Sequence, residues 1–226
     1  MYTMVVILAA GTSDCEVNND GMLIQPVSAV SSLAFSIAGV VILAWAQAVK
    51  GHERIVRILF GFAMIATGIG SFLFHGYDSV VAHFFHDITF LATVWLLAIV
   101  NVSEVRAWQR FWEWLIVIVG IATLSVVLLV APGITNILTI VVTVVLIASD
   151  FALNRSGGIA RPWWIASLVA MGLAVALFLL GRTGGPLCDP GSLFQGHALW
   201  HALSAAALAF YFVATSTART RRRARG

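Results

Sequence analysis

The chain has 226 residues, 60% of them hydrophobic and only 10% charged, with a formal net charge of +3. An ordinary soluble domain carries about 25% charged residues, so the polar remainder here is too small to cover a globule. The composition excludes a soluble core of this size and indicates a single all-α integral membrane domain.

The first ten residues, MYTMVVILAA, are apolar but short and have no basic start. They read as an interfacial segment or an unsettled start site rather than a signal peptide. Residues 1–24 form an N-terminal segment outside the bundle, and its acids are Asp14, Glu16 and Asp20. The two cysteines, Cys15 and Cys188, are too few for a disulfide scaffold but enough for one bridge in an oxidising compartment.

A membrane span takes about 20 apolar residues. Seven stretches qualify within residues 25–216, running roughly Pro26–Val49, Ile55–His75, His83–Val102, Phe111–Val130, Ile134–Leu153, Trp163–Leu180 and Phe194–Thr215. The links between them are short. Pro132-Gly133 separates the fourth from the fifth, and Arg161-Pro162 opens the sixth, with proline where its missing N–H costs little. No strand pattern competes, so the expected fold is a seven-transmembrane helix bundle.

Alternating spans place Lys50, Arg54, Arg57, Arg106, Arg110, Arg155, Arg161 and the tail arginines Arg219, Arg221, Arg222, Arg223 and Arg225 on one side. The other side receives only Arg182. By the positive-inside rule the C-terminus is cytoplasmic and the N-terminus external or luminal. The basic tail, residues 217–226, then faces anionic membrane lipid rather than nucleic acid.

That threading sends five of the six histidines to the external ends of three helices; only His52 is cytoplasmic. Polar residues in a span are expensive, and their default reading is function. His197 and His201 are four apart, so both rings face one side of the last helix, about 6 Å apart in depth. This spacing suits two ligands on one metal ion, and His75 supplies a third from the second helix. Ser71 lies one turn before His75 on the same face. A serine there ordinarily bonds back to its own helix. Asp87 lies one turn inside the third helix, where a carboxylate needs a cation, a metal or a metal-bound water. His83 is four residues before Asp87 and expected to pair with it. His83 and His86 read as second-shell or interfacial groups, while Tyr77 and Asp78 read as solvated loop residues.

Gly70-Ser71-Phe72-Leu73-Phe74-His75, then Asp87, then Gln195-Gly196-His197-Ala198-Leu199-Trp200-His201 resemble the alkaline ceramidases. These belong to a wider superfamily of seven-helix membrane hydrolases that includes the adiponectin receptors and hemolysin III-like proteins. The resemblance implies zinc on His75, His197 and His201, with Ser71 and Asp87 catalytic and Trp200 in the second shell. Cys15-Glu16-Val17-Asn18 resembles the ceramidase CExN segment. It implies a Cys15–Cys188 disulfide and a calcium site drawn from Asp14, Glu16, Asn18 and Asp20. The acidic residue that the family adds near the first helix is missing, since Ile24-Gln25-Pro26-Val27 stands there. Short loops and an arginine-rich tail point to a bacterial member.

The expected activity is zinc-dependent hydrolysis of the amide bond in a ceramide-like lipid, giving a fatty acid and an amine. A lipid-responsive receptor of the adiponectin-receptor type is the alternative from another class. An esterase or phospholipase on the same scaffold is the nearest alternative among enzymes. A retinal photoreceptor is excluded, because the sole lysine, Lys50, lies in a loop rather than in the last helix. A transporter site would lie near mid-bilayer, whereas these residues gather toward one face.

Overall fold

The computed structural model describes residues 14–157 and 159–223, with side chains through Ser216. The apolar segment 1–10 and the side chains of the basic tail lie outside the described residues. Seven long helices follow one another: α1 (Pro26–Ala46), α2 (Gly51–Tyr77), α3 (Val80–Arg106), α4 (Arg110–Val130), α5 (Thr135–Arg155), α6 (Arg161–Leu180) and α7 (Gly196–Arg223). A 3-10 turn, Pro132–Ile134, links α4 to α5. Each of the seven is long and apolar enough to cross a membrane. Among the described residues there is no strand, only an isolated bridge between Asp14 and Arg182.

Helices α2 and α3 run beyond the expected spans, starting at Gly51 rather than Ile55 and ending at Arg106 rather than Val102. The hydropathy falls there, but the polar groups are satisfied inside the fold. Arg57 donates to Glu53 Oε1 and to the Trp45 carbonyl, and its guanidinium lies 3.9 Å over the Trp45 ring. Helical bonding therefore continues where apolarity stops. Conversely α7 begins at Gly196, because Gln195 turns its side chain amide back onto the carbonyls of Asp189 and Ser192.

Small residues let α1 and α2 approach closely. A methyl on Gly39 would meet the Gly61 carbonyl oxygen at 2.5 Å, and Ser36 Oγ donates across to the Ile65 carbonyl at 3.1 Å. This is how membrane helices pack where lipid tails are as apolar as leucine. The main core forms where α1, α2, α3 and α7 meet, around Phe35, Phe60, Met64, Leu97 and Phe212. Phe60 and Phe212 stack with ring centroids 4.5 Å apart. Helices α4, α5 and α6 expose Ile118, Ile140, Val144, Leu168 and Leu173, the outer face that lipid would cover.

Although consecutive, α5 and α6 share almost no backbone contact. Trp164 Nε1, which donates to Asp150 Oδ2 at 2.9 Å, joins them toward the end where the arginines gather.

The N-terminal segment is fastened across the histidine end. Cys15 and Cys188 form a disulfide, as the resemblance implied. Thr183 Oγ1 donates to the Asp14 carbonyl at 2.8 Å. Glu16 caps α1, its two carboxylate oxygens accepting from the backbone of Val27 at 2.7 Å and Ser28 at 2.8 Å. A carboxylate at a helix N-terminus satisfies orphan N–H groups and complements the helix dipole.

Candidate metal centre

The geometry begins with α7. Its i, i+4 spacing stacks His197 and His201, with ring centroids 4.5 Å apart. His75 arrives from the last turns of α2, with its ring 4.7 Å from that of His197 and 5.1 Å from that of His201. His75 is 0% exposed and His201 2%. One nitrogen from each ring falls within 4.8 Å of the others, so the three form a buried group that could hold a metal ion.

Two of the rings are held by hydrogen bonds at Nδ1, and the third has a carboxylate beside it. Gln25 Nε2 donates to the Glu16 carbonyl at 3.3 Å, which turns Gln25 Oε1 toward His75. His75 Nδ1 then donates to Oε1 at 2.8 Å, and its Nε2 is left bare. Ser31 Oγ donates to the Ser28 carbonyl at 3.0 Å and accepts from His201 Nδ1 at 3.0 Å. Asp14 Oδ1 lies 3.1 Å from His197 Nδ1, within ion-pair distance but off hydrogen-bond geometry. Burial works to raise the pKa of Asp14. The contact with His197 and the charge of Arg182 outweigh it, holding the carboxyl below its usual range.

Amide, hydroxyl and carboxylate partners on the far nitrogens are the usual support of metal-binding imidazoles. At the centre, Nε2 of His75 and Nε2 of His197 stand 3.1 Å apart, the His75 nitrogen left bare by its bond to Gln25. That bare nitrogen is satisfied by an N–H of His197 or by a cation shared between the two rings. Tetrahedral zinc with bonds of 2.0–2.1 Å would set its nitrogens about 3.3 Å apart, close to the spacing found. Replacing Gln25 by leucine frees the His75 tautomer and leaves the Glu16 carbonyl unserved. We expect metal affinity to fall about 10- to 100-fold, measured by competition with a chelating indicator on purified protein.

A small cavity of about 30 Å³ adjoins the histidines. It has room for one or two waters. Its polar lining is Thr67, Ser71, His86 and His201; Phe35, Phe90 and Trp200 supply apolar wall. Ser71 makes its contact across the bundle, with Oγ 3.3 Å from His201 Nε2, rather than back along α2. Trp200 packs on Phe178 of α6.

Asp87 is placed differently from the expectation. Its Oδ1 accepts from His86 Nδ1 at 2.8 Å, and its Oδ2 accepts from Thr135 Oγ1 at 2.9 Å. The cavity is lined by His86, with Asp87 behind it. Consecutive helical residues point about 100° apart, so only one of the two can face inward. His83 pairs with Asp78 at 2.6 Å, not with Asp87. The link from α2 to α3 is only Asp78 and Ser79, which sets Asp78 over the first turn of α3 rather than in a solvated loop. Tyr77 is exposed at the end of α2.

The expected calcium set does not assemble. Asp14, Glu16 and Asp20 form no metal-sized group among the described residues. Glu16 spends its oxygens on the N-terminus of α1, Asp14 turns to His197, and Asn18 and Asp20 are exposed.

Gln25 and Ser31 were not anticipated as parts of the site. A signal for Ser31 was present in the cluster Ser28, Ser31, Ser32 and Ser36, a polar stripe at helical spacing in an otherwise apolar span. No protein-family model matches this chain, and no curated protein matches it either.

Proposed function

We propose that this protein is a zinc-dependent intramembrane hydrolase that cleaves the amide bond of a ceramide-like lipid. One observation carries the reading. Three imidazoles, His75 and His201 with Nδ1 hydrogen-bonded and His197 with Nδ1 beside Asp14, bring one nitrogen each together next to a water-sized cavity lined by Ser71 and His86. The resemblance of the Ser71–His75, Asp87 and His197–His201 segments to the alkaline ceramidases supports the choice of substrate class. Three neutral histidines favour zinc over harder cations.

When bound, zinc supplies Lewis acidity, enough to bring the pKa of a water down to about 7. The chain's own residues supply the rest. Asp87 holds the Nδ1 proton of His86, leaving the opposite ring nitrogen to accept a proton from water in the cavity. Ser71 donates its hydroxyl hydrogen to the carbonyl oxygen as charge builds there. Water oxygen adds to the carbonyl carbon, the C–N bond breaks, and His86 passes its proton to the leaving nitrogen. The products are a fatty acid and an amine. In this reading the histidine end faces outward and the arginine-rich end faces the cytoplasm.

The test is hydrolysis of a fluorescent N-acyl sphingosine by purified protein, with metal content determined on the same sample. The reading expects about one zinc per chain and fatty-acid release that a chelator stops. Cleavage of ester analogues alone would make the protein a lipid esterase. Stoichiometric zinc with no turnover of either would favour a lipid-responsive receptor.

A further inference from the structure

A second cavity, of about 320 Å³, opens between α3 and α5 toward the arginine-rich end. Ligand pockets begin at roughly this size, about 300 Å³. Its walls are apolar, with Val102 and Val105 on α3 and Val144 and Ala148 on α5. Arg106, the exposed last residue of α3, stands at its rim. Arg155 is the exposed last residue of α5. It continues the helical stripe of Val144, Ala148 and Ala152 that lines the groove.

Three other arginines at this end are occupied. Arg54 bonds Gln47, Arg57 bonds Glu53, and Arg110 bonds Glu113 and Glu104. Among the described residues, Arg106, Arg155 and Arg161 have no such partner, and of these Arg106 and Arg155 stand on the two helices that form the groove. The groove therefore joins an apolar trough to two uncompensated guanidinium groups, each able to bind a phosphate through paired N–H donors. An apolar helix from another protein would fill the trough but leave both charges unanswered. Free phosphate would answer the charges but not the trough.

We infer that this groove holds one anionic phospholipid, its acyl chain along the valine walls and its phosphate on Arg106 and Arg155. The groove floor is stiff. Ser149, which lines it, accepts from Asn101 at 3.3 Å; Asn101 also donates to Tyr211 at 2.6 Å, and Tyr211 donates to Asp150 at 3.2 Å. A lipid seated here presses on the polar network that joins α3, α5 and α7. The inference is independent of the metal centre and of hydrolysis, so failure of either leaves the other intact.

The experiment is native mass spectrometry of the full chain in detergent, titrated with phosphatidylglycerol, phosphatidylcholine or inorganic phosphate. One phosphatidylglycerol should be retained in preference to phosphatidylcholine. The double variant Arg106→Ala, Arg155→Ala should hold it roughly tenfold more weakly. Ala148→Phe, which fills the trough with both arginines in place, should lose it. Ala152→Leu serves as a second filling variant should the first fail to fold. Equal retention of the two lipids overturns the inference. So does undiminished binding by the double variant or by a folded filled-groove variant, or displacement by millimolar inorganic phosphate.

Discussion

On the proposed function, replacing His201 by alanine should leave the purified protein without zinc and without hydrolysis, both losses together. His201 is buried, and it is one of the three histidines that could hold an ion among the described residues. With two ligands left, the open tetrahedral arrangement of catalytic zinc cannot form. His197→Ala should behave the same way. The loss of an outer partner such as Gln25 costs about 10- to 100-fold in affinity, so loss of a ligand costs more. We expect zinc below about a tenth of an equivalent per chain under conditions that saturate wild type. A binding-linked readout separates this from misfolding. Zinc at a thousand times its dissociation constant stabilises a folded site by about 4.1 kcal/mol. Added zinc should therefore raise the melting temperature of metal-free wild type and leave that of His201→Ala unmoved. A variant that keeps stoichiometric zinc and activity would remove the imidazole cluster from the mechanism.

Asp87→Asn and His86→Gln should each retain zinc and lose turnover by roughly 10²- to 10⁴-fold, the usual worth of a positioned acid–base group. The reason is their serial arrangement: His86 lines the cavity, and Asp87 fixes its proton from behind with Thr135 on its other oxygen. The loss should fall on kcat rather than KM, because neither group is asked to bind the acyl chain. The two variants also divide the possibilities. Should His86→Gln turn over like wild type while Asp87→Asn is inactive, the carboxylate alone is the base and His86 only lines the wall. Should Asp87→Asn be fully active, the acid–base role leaves this pair altogether.

Much of the architecture is legible in the residues because membrane spans are set by length and apolarity alone. Seven stretches are visible before any coordinates, and seven helices span them. The histidine group is legible too. His197 and His201 are tied by helical spacing, and alternation of the spans brings His75 to their end. What the sequence hides is of two kinds. Gln25, Ser31 and Asp14 act on rings that lie 50, 170 and 183 residues away along the chain. No local pattern encodes such pairings. The second kind is rotational. His86 and Asp87 are neighbours with opposed outlooks, and which one faces inward depends on how α3 is turned against α5. That turn is set by packing of Leu91, Val94, Leu128 and Val142, which periodicity alone does not phase.

The bond between Cys15 and Cys188 sets an order of events in the life of the chain. Asp14 is the residue next to that bond, and it reaches His197 on a segment anchored at the far side of the α6–α7 loop. A freshly inserted, still-reduced chain owns its imidazoles but lacks the tether that brings the carboxylate behind one of them. On the proposed function, thiol oxidation would precede durable loading with metal, and a reducing compartment would weaken the hold that keeps Asp14 behind His197.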